Sequence, residues 1–263
     1  MAYEHVLYEK QDRIATITLN RPERLNAFNP PLRRELHQIF EDVRDDPEVW
    51  VAIITGAGDR AFSAGNDLKY TAEHPESMTQ RDPRTMGHII RGGIDCWKPI
   101  IAAVNGYALG GGCELALACD LIVASETAVF GQPEVRVGLL AGGGGLFRLP
   151  RQIPEKIAND ILFTARHMTA QEAHQWGLVN QVVPPDEVMP AARRLAEQIL
   201  ANSPIAVRKS KELIRRGLDT TVDYPPNAWS LMDEAMRSLA ETEDFIEGPR
   251  AFSEKRPPQW KGR

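Results

Sequence analysis

Residues Val104 to Asp120 read V-N-G-Y-A-L-G-G-G-C-E-L-A-L-A-C-D, and the rest of the chain is arranged around this stretch. The apolar run Ile100 to Val104 leading into it predicts a buried strand, and Asn105-Gly106 predicts a turn. Three glycines at 110–112 then open a helix rich in alanine and leucine. Glycine lets a ligand approach the backbone, and the first turn of a helix carries unpaired N–H groups at the positive end of its dipole. We therefore expect a site for negative charge here, with Glu114 in the same first turn.

This stretch alone leaves two interpretations open. An acid in the first turn of a helix is also what helix stability favours, and glycine-rich turns between a strand and a helix are common. A purely structural role for residues 104–120 is therefore as compatible with the pattern as a binding site is. The rest of the chain has to decide between them.

Composition excludes several classes of protein. The chain has 263 residues, 43% hydrophobic and 25% charged, with a net charge of -5, which predicts one large domain or one domain with a helical appendage. A mildly acidic chain without a basic stripe argues against nucleic acid as a partner. No apolar run reaches the length of a membrane span, and Met1 to Lys10 is polar, so we expect a soluble, cytoplasmic protein. Cys96, Cys113 and Cys119 are expected to be small buried side chains rather than disulfides.

The order of strands and helices predicts an α/β architecture through about residue 165. Residues 14–19 and 49–55 read as strands, and between them Leu32, Leu36, Ile39, Phe40 and Val43 form one apolar helix face after Asn29-Pro30-Pro31. Tyr70 to Arg84 reads as a surface loop, followed by a helix containing Met86, Ile89, Ile90 and Trp97. Further elements are a strand at 121–124, a helix from the Thr169 capping box to Gly177, a strand at 179–183 and a helical tail from Pro185 onward.

Several kinds of site are missing from the sequence. The histidines and cysteines lack metal-ligand spacing, and no dense acidic cluster offers ligands for a hard cation. The glycine runs form neither a P-loop nor a dinucleotide fingerprint. Ser63 is not in a Gly-x-Ser-x-Gly elbow and is expected to be a turn residue. We therefore expect no metal and no redox cofactor.

What remains is two glycine-containing turns and two acids. The amides of Asn66 and Gly111 could together form an oxyanion hole, which is worth a few kcal/mol per donor at a transition state. Glu114 and Glu134 could supply acid/base groups beside it if the fold brings them together. The alternative for Glu134 is a solvated loop acid, the commoner environment of an isolated glutamate after a proline.

Several long blocks resemble the crotonase superfamily, the enoyl-CoA hydratase/isomerase group. They occur in the order typical of that family and cover nearly the whole chain. The blocks are Asn20-Arg-Pro-Glu-Arg-Leu-Asn26, Ala61-Phe-Ser-Ala-Gly-Asn-Asp-Leu68, the stretch through Asp120, Phe130-Gly-Gln-Pro-Glu134 and Ala251-Phe-Ser-Glu-Lys-Arg256. The resemblance implies a crotonase-like spiral of ββα units in residues 1–200 that carries the active site. It also implies a C-terminal α-helical trimerisation region in residues 201–263, with assembly as a homotrimer or a dimer of trimers.

The resemblance also implies an acyl-CoA substrate. The thioester carbonyl would lie between the amides of Asn66 and Gly111, and coenzyme A would enter as part of the substrate rather than as a resident cofactor. Phe252 and Lys255 of a neighbouring subunit would close on the nucleotide. The remaining residues expected to contact coenzyme A are Arg24, Leu25, Ala64, Asp67, Leu68 and Lys69.

The two glutamates favour hydration within this family, whose hydratases have glutamate at both matching positions. Glu134 would exchange the proton at C2, and Glu114 would orient the water that attacks C3. An isomerase needs only one such base. A Δ3,Δ2-enoyl-CoA isomerase, a carnitinyl-CoA-type dehydratase and a non-catalytic acyl-CoA-binding protein remain as alternatives.

Three features depart from the usual pattern of the family. Asn66 stands where a small residue is common, so its amide could contact a polar acyl group. Ala141-Gly142-Gly143-Gly144-Gly145 replaces the usual proline followed by Gly-Gly. The C-terminal stretch 247–263 most resembles the branch that contains carnitinyl-CoA dehydratase. These departures leave the acyl group of the substrate open.

Overall fold

A computed structural model of the chain describes residues 3–74, 95–218 and 228–263. Strands and helices are numbered in chain order within these ranges. The strands are β1 Val6–Gln11, β2 Ile14–Leu19, β3 Val51–Gly56, β4 Ala61–Ser63, β5 Ile100–Val104, β6 Tyr107–Leu109, β7 Leu121–Ser125, β8 Val129–Gly131, β9 His167–Thr169 and β10 Gln181–Val183. The helices are α1 Pro30–Asp45, α2 Leu68–Glu73, α3 Gly111–Ala118, α4 Gly145–Gln152, α5 Glu155–Thr164, α6 Ala170–Gln175, α7 Val188–Leu200, α8 Pro204–Gly217, α9 Ala228–Ala240 and α10 Glu243–Glu254.

The described strands form two sheets. The larger sheet has the order β1-β2-β3-β5-β7-β10, and the smaller has the order β4-β6-β8-β9. The pairs β3/β4, β5/β6 and β7/β8 each place their first strand in the larger sheet and their second in the smaller. Neighbouring pairs run parallel in both sheets. The predicted α/β architecture is confirmed, and this repeated step from sheet to sheet generates the spiral.

Helix α1 shows why the apolar pattern fixes this arrangement. Asn29 caps the helix by accepting a 3.0 Å hydrogen bond from the amide of Leu32, and prolines occupy its first turn, where their missing N–H groups cost nothing. The five apolar residues predicted for its inner face are all fully buried. The helix connects β2 to β3, which pair in parallel as a crossover unit requires. Burial of each such aliphatic or aromatic side chain stabilises the folded state by roughly 1.5–3 kcal/mol.

The structure corrects the sequence-based prediction around residue 70. Residues Leu68–Glu73 form α2 instead of a loop, and Asp67 caps this helix by accepting a 3.1 Å hydrogen bond from the amide of Tyr70. Trp97 was expected in a helix and lies in none. The other expected members of that helix, Met86, Ile89 and Ile90, and the loop residues 75–84 lie outside the described residues.

Contacts divide the chain into two compact units. The first consists of residues 1–96 and 100–196, and it contains both sheets. The second consists of residues 97–99 and 197–263. Within the second unit, the buried carboxylate of Asp244 accepts hydrogen bonds from the amides of Lys261 (2.7 Å) and Gly262 (3.1 Å). The boundary at residue 200 and the trimerisation role of residues 201–263 stay predictions.

Two further observations concern the described residues. Cys96, Cys113 and Cys119 are buried and form no disulfide, as expected. Among the described residues, none of the helices combines the length and apolar character needed to cross a bilayer.

Candidate active site

The chain after β4 is held by the loop that precedes α1. Phe28 pairs with Asn66 in an isolated parallel bridge. The amide of Phe28 donates to the carbonyl of Gly65 (2.6 Å), and the amide of Asp67 donates to the carbonyl of Phe28 (3.0 Å). Ser63 strengthens the attachment, because its hydroxyl donates to the carbonyl of Asn26 (2.8 Å) and accepts from the amide of Gly65 (3.1 Å). The sequence predicted a turn residue here, but Ser63 is the last residue of β4, and its side chain has a structural role.

This bridge fixes the direction of the Asn66 amide. In a parallel bridge, one of the two residues forms hydrogen bonds to the partner strand. The other residue directs its own N–H away from that strand. The bonds of Phe28 go to Gly65 and Asp67, so the N–H of Asn66 is left on the opposite side. Within the described part of the chain, this amide donates to no acceptor, and Asn66 is exposed.

The start of α3 lies directly against this segment. A Cβ on Gly65 would be 2.8 Å from the backbone nitrogen of Gly111, and a Cβ on Gly112 would be 2.1 Å from the carbonyl oxygen of Ser63. Gly65 also has a φ of +86°, so both its conformation and its contacts require glycine. The N–H of Gly111 is in the unbonded first turn of α3, and it donates to no acceptor among the described residues. The segment after β4 and the first turn of α3 therefore each present a backbone donor.

Glu114 is in the first turn of α3, as predicted, and is buried, with 5% of its surface exposed. Its Oε1 accepts a 3.0 Å hydrogen bond from the amide of Gly145 at the start of α4. Burial raises the pKa of the carboxyl. The amides of Gly145 and Gly143 and the charges of Arg148 and Arg33 oppose this shift without cancelling it.

Glu134 begins a short 3-10 helix, Glu134–Val137, after β8. Its carboxyl lies over the turn before α3, because a Cβ on Gly110 would be 3.1 Å from its Oε1. The side-chain amide of Gln132 satisfies its hydrogen-bonding neighbours when its nitrogen faces Glu134. In this orientation the nitrogen donates to both carboxyl oxygens of Glu134, each at 3.2 Å. Glu134 is half-buried, so the alternative of a solvated loop acid does not hold.

Burial and a neighbouring charge shift the acidity of Glu134. Burial raises its pKa to about 7, and the negative charge of Glu114 adds to the effect against the opposing influence of the backbone amide of Glu134. An acid with a pKa near neutrality can both release and accept a proton at physiological pH.

The six other residues expected to contact coenzyme A, which exclude Phe252 and Lys255, are in the first unit. The amide of Ala64 donates a 2.9 Å hydrogen bond to the carbonyl of Leu25, which joins the two predicted segments. Arg24, Leu68 and Lys69 are exposed beside this junction, the last two in the first turn of α2. Their contact with coenzyme A stays a prediction.

Asp67 has a full set of partners within the protein. Its carboxylate caps α2 and forms a 3.0 Å ion pair with Arg21, and both side chains are little exposed, at 11% and 12%. Burial opposes its ionisation, but the amide of Tyr70 and the guanidinium of Arg21 outweigh this effect and lower the pKa of the carboxyl. Arg21 also donates to the carbonyl of Ala27 (2.6 Å). The contacts of Asp67 are thus those of a residue that positions the 64–67 segment.

Phe252 and Lys255 belong to the second unit. Phe252 is in α10 with 87% of its surface exposed, and Lys255 ends that helix in the left-handed conformation, with a φ of 52°. Their proposed contact with a neighbouring subunit stays a prediction. Among the residues that the structure describes, no group of three or more His, Cys, Asp or Glu side chains could hold a metal ion.

Sequence reasoning missed three residues that contact the site. Gln132 was within a block quoted for its resemblance but received no role. Phe28 and Arg33 meet the site only through contacts between distant segments, for which the local sequence gives no signal. Phe28 lies against Gly111, where a Cβ would be 3.2 Å from its ring, and Arg33 donates to Oδ1 of Asn66.

Comparisons with known proteins extend these observations. A family model described as enoyl-CoA hydratase/isomerase matches residues 9–263. The crotonyl-CoA hydratase of Syntrophomonas wolfei is 42% identical over 257 residues, which cover 97% of each chain. The carnitinyl-CoA dehydratase of Escherichia coli is 44% identical over 261 residues, which cover 95% of each chain. Both relatives therefore align with nearly the full length of this chain.

A solved structure shows the same fold. The crystal structure of enoyl-CoA hydratase from Mycobacterium tuberculosis H37Rv matches with a TM-score of 0.89 and 41% sequence identity. The match covers 98% of this chain and 99% of that one. The similarity extends over the whole chain rather than over a single motif.

Proposed function

The chain belongs to the enoyl-CoA hydratase/isomerase family, and on that basis we propose that it catalyses the reversible addition of water across the 2,3 double bond of an enoyl-CoA thioester. It is thus a hydro-lyase. The observation that carries the proposal is the pair of buried or half-buried glutamates beside two backbone amides without acceptors in the described chain.

The amides of Asn66 and Gly111 would bind the thioester oxygen. Negative charge develops on that oxygen when the double bond is attacked at C3, so two fixed donors stabilise the enolate more than the ground state. The positive end of α3 adds to this stabilisation, because Gly111 is its first residue. Withdrawal of electrons towards the oxygen makes C3 electrophilic and C2 basic.

The two glutamates would divide the proton transfers. Glu114 accepts a proton from the attacking water, and Glu134 donates a proton to C2 of the enolate. The pair must therefore hold one proton in total, on Glu134 before hydration and on Glu114 after it. The raised pKa of Glu134, about 7, supports a protonated form that is available near neutral pH.

Two alternatives use the same arrangement. A carnitinyl-CoA-type dehydratase runs the same chemistry on a different acyl group, and it is supported by the 44% identity to the Escherichia coli relative of that name. An isomerase would move one proton between carbons and would need no water. The presence of both Glu114 and Glu134 at the site favours water addition.

The remaining features of the proposal concern the substrate and the assembly. Coenzyme A enters as part of the substrate, so the reaction needs no resident cofactor. Residues 201–263 would mediate assembly into a trimer or a dimer of trimers, in which Phe252 and Lys255 of one subunit contact the nucleotide of the next. A cytoplasmic location agrees with the substrate.

The test is hydration of crotonyl-CoA by the purified protein, followed as the loss of enoyl-thioester absorbance. We expect turnover by the wild type and a loss of about 10²–10⁴-fold in Glu134→Gln, with acyl-CoA binding retained. Glu155→Gln is the matched control, since Glu155 is an exposed glutamate at the start of α5 and its variant should keep the wild-type rate.

Three results would contradict the assignment. Equal acyl-CoA binding by wild type and Glu134→Gln, with no turnover of any enoyl-CoA by either, would indicate a binding protein. Movement of the double bond without incorporation of oxygen from labelled water would indicate an isomerase. Turnover only of an enoyl-CoA with a trimethylammonium group would indicate the carnitinyl-CoA-type dehydratase.

A further inference from the structure

Residues 257–263, here called the return segment, run back along α10 from its end towards its start. Backbone amides of the segment bind carboxylates of that helix. The amide of Gln259 donates to Oε1 of Glu247 (2.7 Å), and the amides at 261–262 donate to Asp244 (2.7 and 3.1 Å). Asp244 is in the first turn of α10, and Glu247 follows three residues later. The order of these contacts makes the return segment antiparallel to the helix.

Asp244 and Trp260 are the inner attachments of the return segment. Asp244 has only 2% of its surface exposed, and its Oδ1 and Oδ2 each accept one of the two amide bonds. An asparagine at this position could accept only one of them, because its nitrogen is a donor. Nε1 of Trp260 donates to the carbonyl of Ala201 (2.9 Å), and its ring lies against Gly248, where an added Cβ would be 3.4 Å from the ring.

The turn that joins α10 to the return segment has a strained backbone. Lys255 has a φ of 52°, in the left-handed region that glycine adopts without strain at the ends of helices. The amide of Arg256 donates to the carbonyl of Ala251 (3.1 Å), and its guanidinium forms a 2.6 Å ion pair with Glu247. These contacts hold the turn in place. Strain of this kind persists where the surrounding structure enforces it, and it is concentrated at functional positions.

Two residues at this end of α10 have a place in the proposed function. Phe252, with 87% of its surface exposed, and Lys255 would contact the nucleotide of coenzyme A, which carries phosphates and an aromatic base. An ammonium group suits a phosphate, and an exposed ring suits stacking on a base. The backbone of the turn sets the direction of both side chains. Groups that are held in place before binding lose less freedom on binding and therefore bind more tightly.

We propose that the return segment positions Phe252 and Lys255 for the nucleotide of the substrate, and that Asp244 holds the segment against α10. The proposal rests on the nucleotide contact in the function proposed above. Asp244 acts through the turn and is a positioning residue. Its loss should weaken binding of the nucleotide and leave the chemical step unchanged.

The test compares crotonyl-CoA with crotonyl-pantetheine, which has the same thioester and lacks the nucleotide. For the wild type, we expect a KM for crotonyl-CoA about tenfold or more below that for crotonyl-pantetheine. In Asp244→Asn, the KM for crotonyl-CoA should rise about tenfold, with its kcat and the KM for crotonyl-pantetheine unchanged. Amide hydrogen exchange of residues 257–263, followed by mass spectrometry, should be faster in this variant.

Glu243→Gln is the matched control, because it removes a neighbouring carboxylate of α10 whose ion pair with Arg263 is exposed. This variant should keep both KM values, as exposed ion pairs contribute little. If Asp244→Asn does not fold, Glu247→Gln replaces it. That variant removes the charge that pairs with Arg256, and it should raise the KM for crotonyl-CoA alone.

An equal rise in both KM values in Asp244→Asn would overturn the proposal, because the segment would then support only the fold. Faster exchange of the segment with an unchanged KM for crotonyl-CoA would overturn it as well, and so would a wild type with equal KM values for the two esters. A wild type that hydrates neither ester would refute the hydratase function. Calorimetry of free coenzyme A would then decide the proposal, which requires binding about tenfold weaker in Asp244→Asn and is overturned by equal binding.

Discussion

The amide of Gly145 donates a 3.0 Å hydrogen bond to Oε1 of Glu114, a residue 31 positions earlier in the chain. This bond directs the carboxyl of α3 from the start of α4, and it uses a residue of the four-glycine loop. A Cβ on Gly145 would be 2.7 Å from the side-chain amide of Gln132 and 2.9 Å from Cβ of Ala141, so no larger residue fits there. The glycine loop, Gln132 and the two acids thus form one packed arrangement.

Separate roles for the two glutamates predict different losses of function. Exchange of the C2 proton of a saturated acyl-CoA in heavy water needs the enolate and Glu134, but no attack on C3. Glu134→Gln should lose this exchange together with hydration. Glu114→Gln should lose hydration and retain measurable exchange, which mass spectrometry of the thioester would detect. Loss of exchange in Glu114→Gln alone would reverse the two roles.

The pKa of Glu134 predicts how the rate depends on pH. The active form of the pair holds one proton, and the raised pKa, about 7, belongs to the carboxyl that carries it. The value of kcat/KM should therefore fall as the pH rises above about 7, because the proton for C2 is lost. It should also fall in acid, when both carboxyls are protonated. Hydration and dehydration should show the same bell-shaped profile, since net reaction in either direction consumes no proton. A rate that continues to rise beyond pH 8 would contradict the proton count.

Contacts of Gly65 predict a specific loss of oxyanion stabilisation. A methyl group in Gly65→Ala would press against the nitrogen of Gly111 and the carbonyl of Leu109, at 2.8 and 2.6 Å before relaxation. The rate of hydration should fall about 10²–10³-fold, the usual effect of losing one oxyanion-hole donor. Gly177→Ala is the control, because Gly177 has a similar φ of +81° with nothing within 4 Å of the added carbon. This control should lose about 1 kcal/mol of stability and keep its rate. Equal loss of rate in both would point to unfolding rather than to the hole.

The partners of Asp67 predict an effect on stability. Asp67→Ala should lower the free energy of unfolding by about 2–4 kcal/mol, because it removes a helix cap and leaves the little-exposed Arg21 without its ion pair. Asp67→Asn should lose about 1 kcal/mol less, since asparagine also caps helices. The pKa of Asp67 is lowered on folding, so its contribution is present above the ordinary carboxyl range and is lost as the pH falls through the lowered value.

Urea unfolding of both variants at neutral and acidic pH measures these differences. Glu48→Ala is the control, because it removes a carboxylate from the exposed ion pair between Arg13 and Glu48 and should change stability by less than about 1 kcal/mol. A cost for Asp67→Ala no larger than that of the control would show that the Arg21 pair does not hold the segment in place.

Local patterns predicted α1, β2, β3 and β5, whereas β1 and α5 were missed although they have six and ten residues. The helix face of α1 repeats with the period of a helix, and Asn29 with two prolines marks its start. Strands β4, β6, β8 and β9 have only three residues each, too few for a periodic pattern, and they were missed. Strand β10 is equally short, but the apolar residues around it, from Val179 to Val183, indicated a strand. Helix α2 was interpreted as a loop because its residues 68–73 show no apolar face, and none of them is buried. Its cap at Asp67 was the available signal.

Some residues of the site could also be predicted from the local sequence, and others could not. Glu114 could be placed from its own neighbourhood, because the glycines and the helix that follow one another in sequence also meet in space. Glu134 could not, since burial beside Glu114 is a property of the folded chain and its own segment reads as an exposed turn. The resemblance to known motifs supplied this residue. Neither the local sequence nor the resemblance pointed to Arg33, because its contact with Asn66 joins positions 33 residues apart.

A crystal structure with a bound, unreactive acyl-CoA tests the central claim most directly. We predict a thioester oxygen within about 2.7–3.1 Å of the backbone nitrogens of both Asn66 and Gly111. The carboxyl of Glu134 should face C2, and that of Glu114 should face C3. A thioester oxygen that contacts neither nitrogen, or an acyl chain bound away from both carboxyls, would contradict this account of the active site.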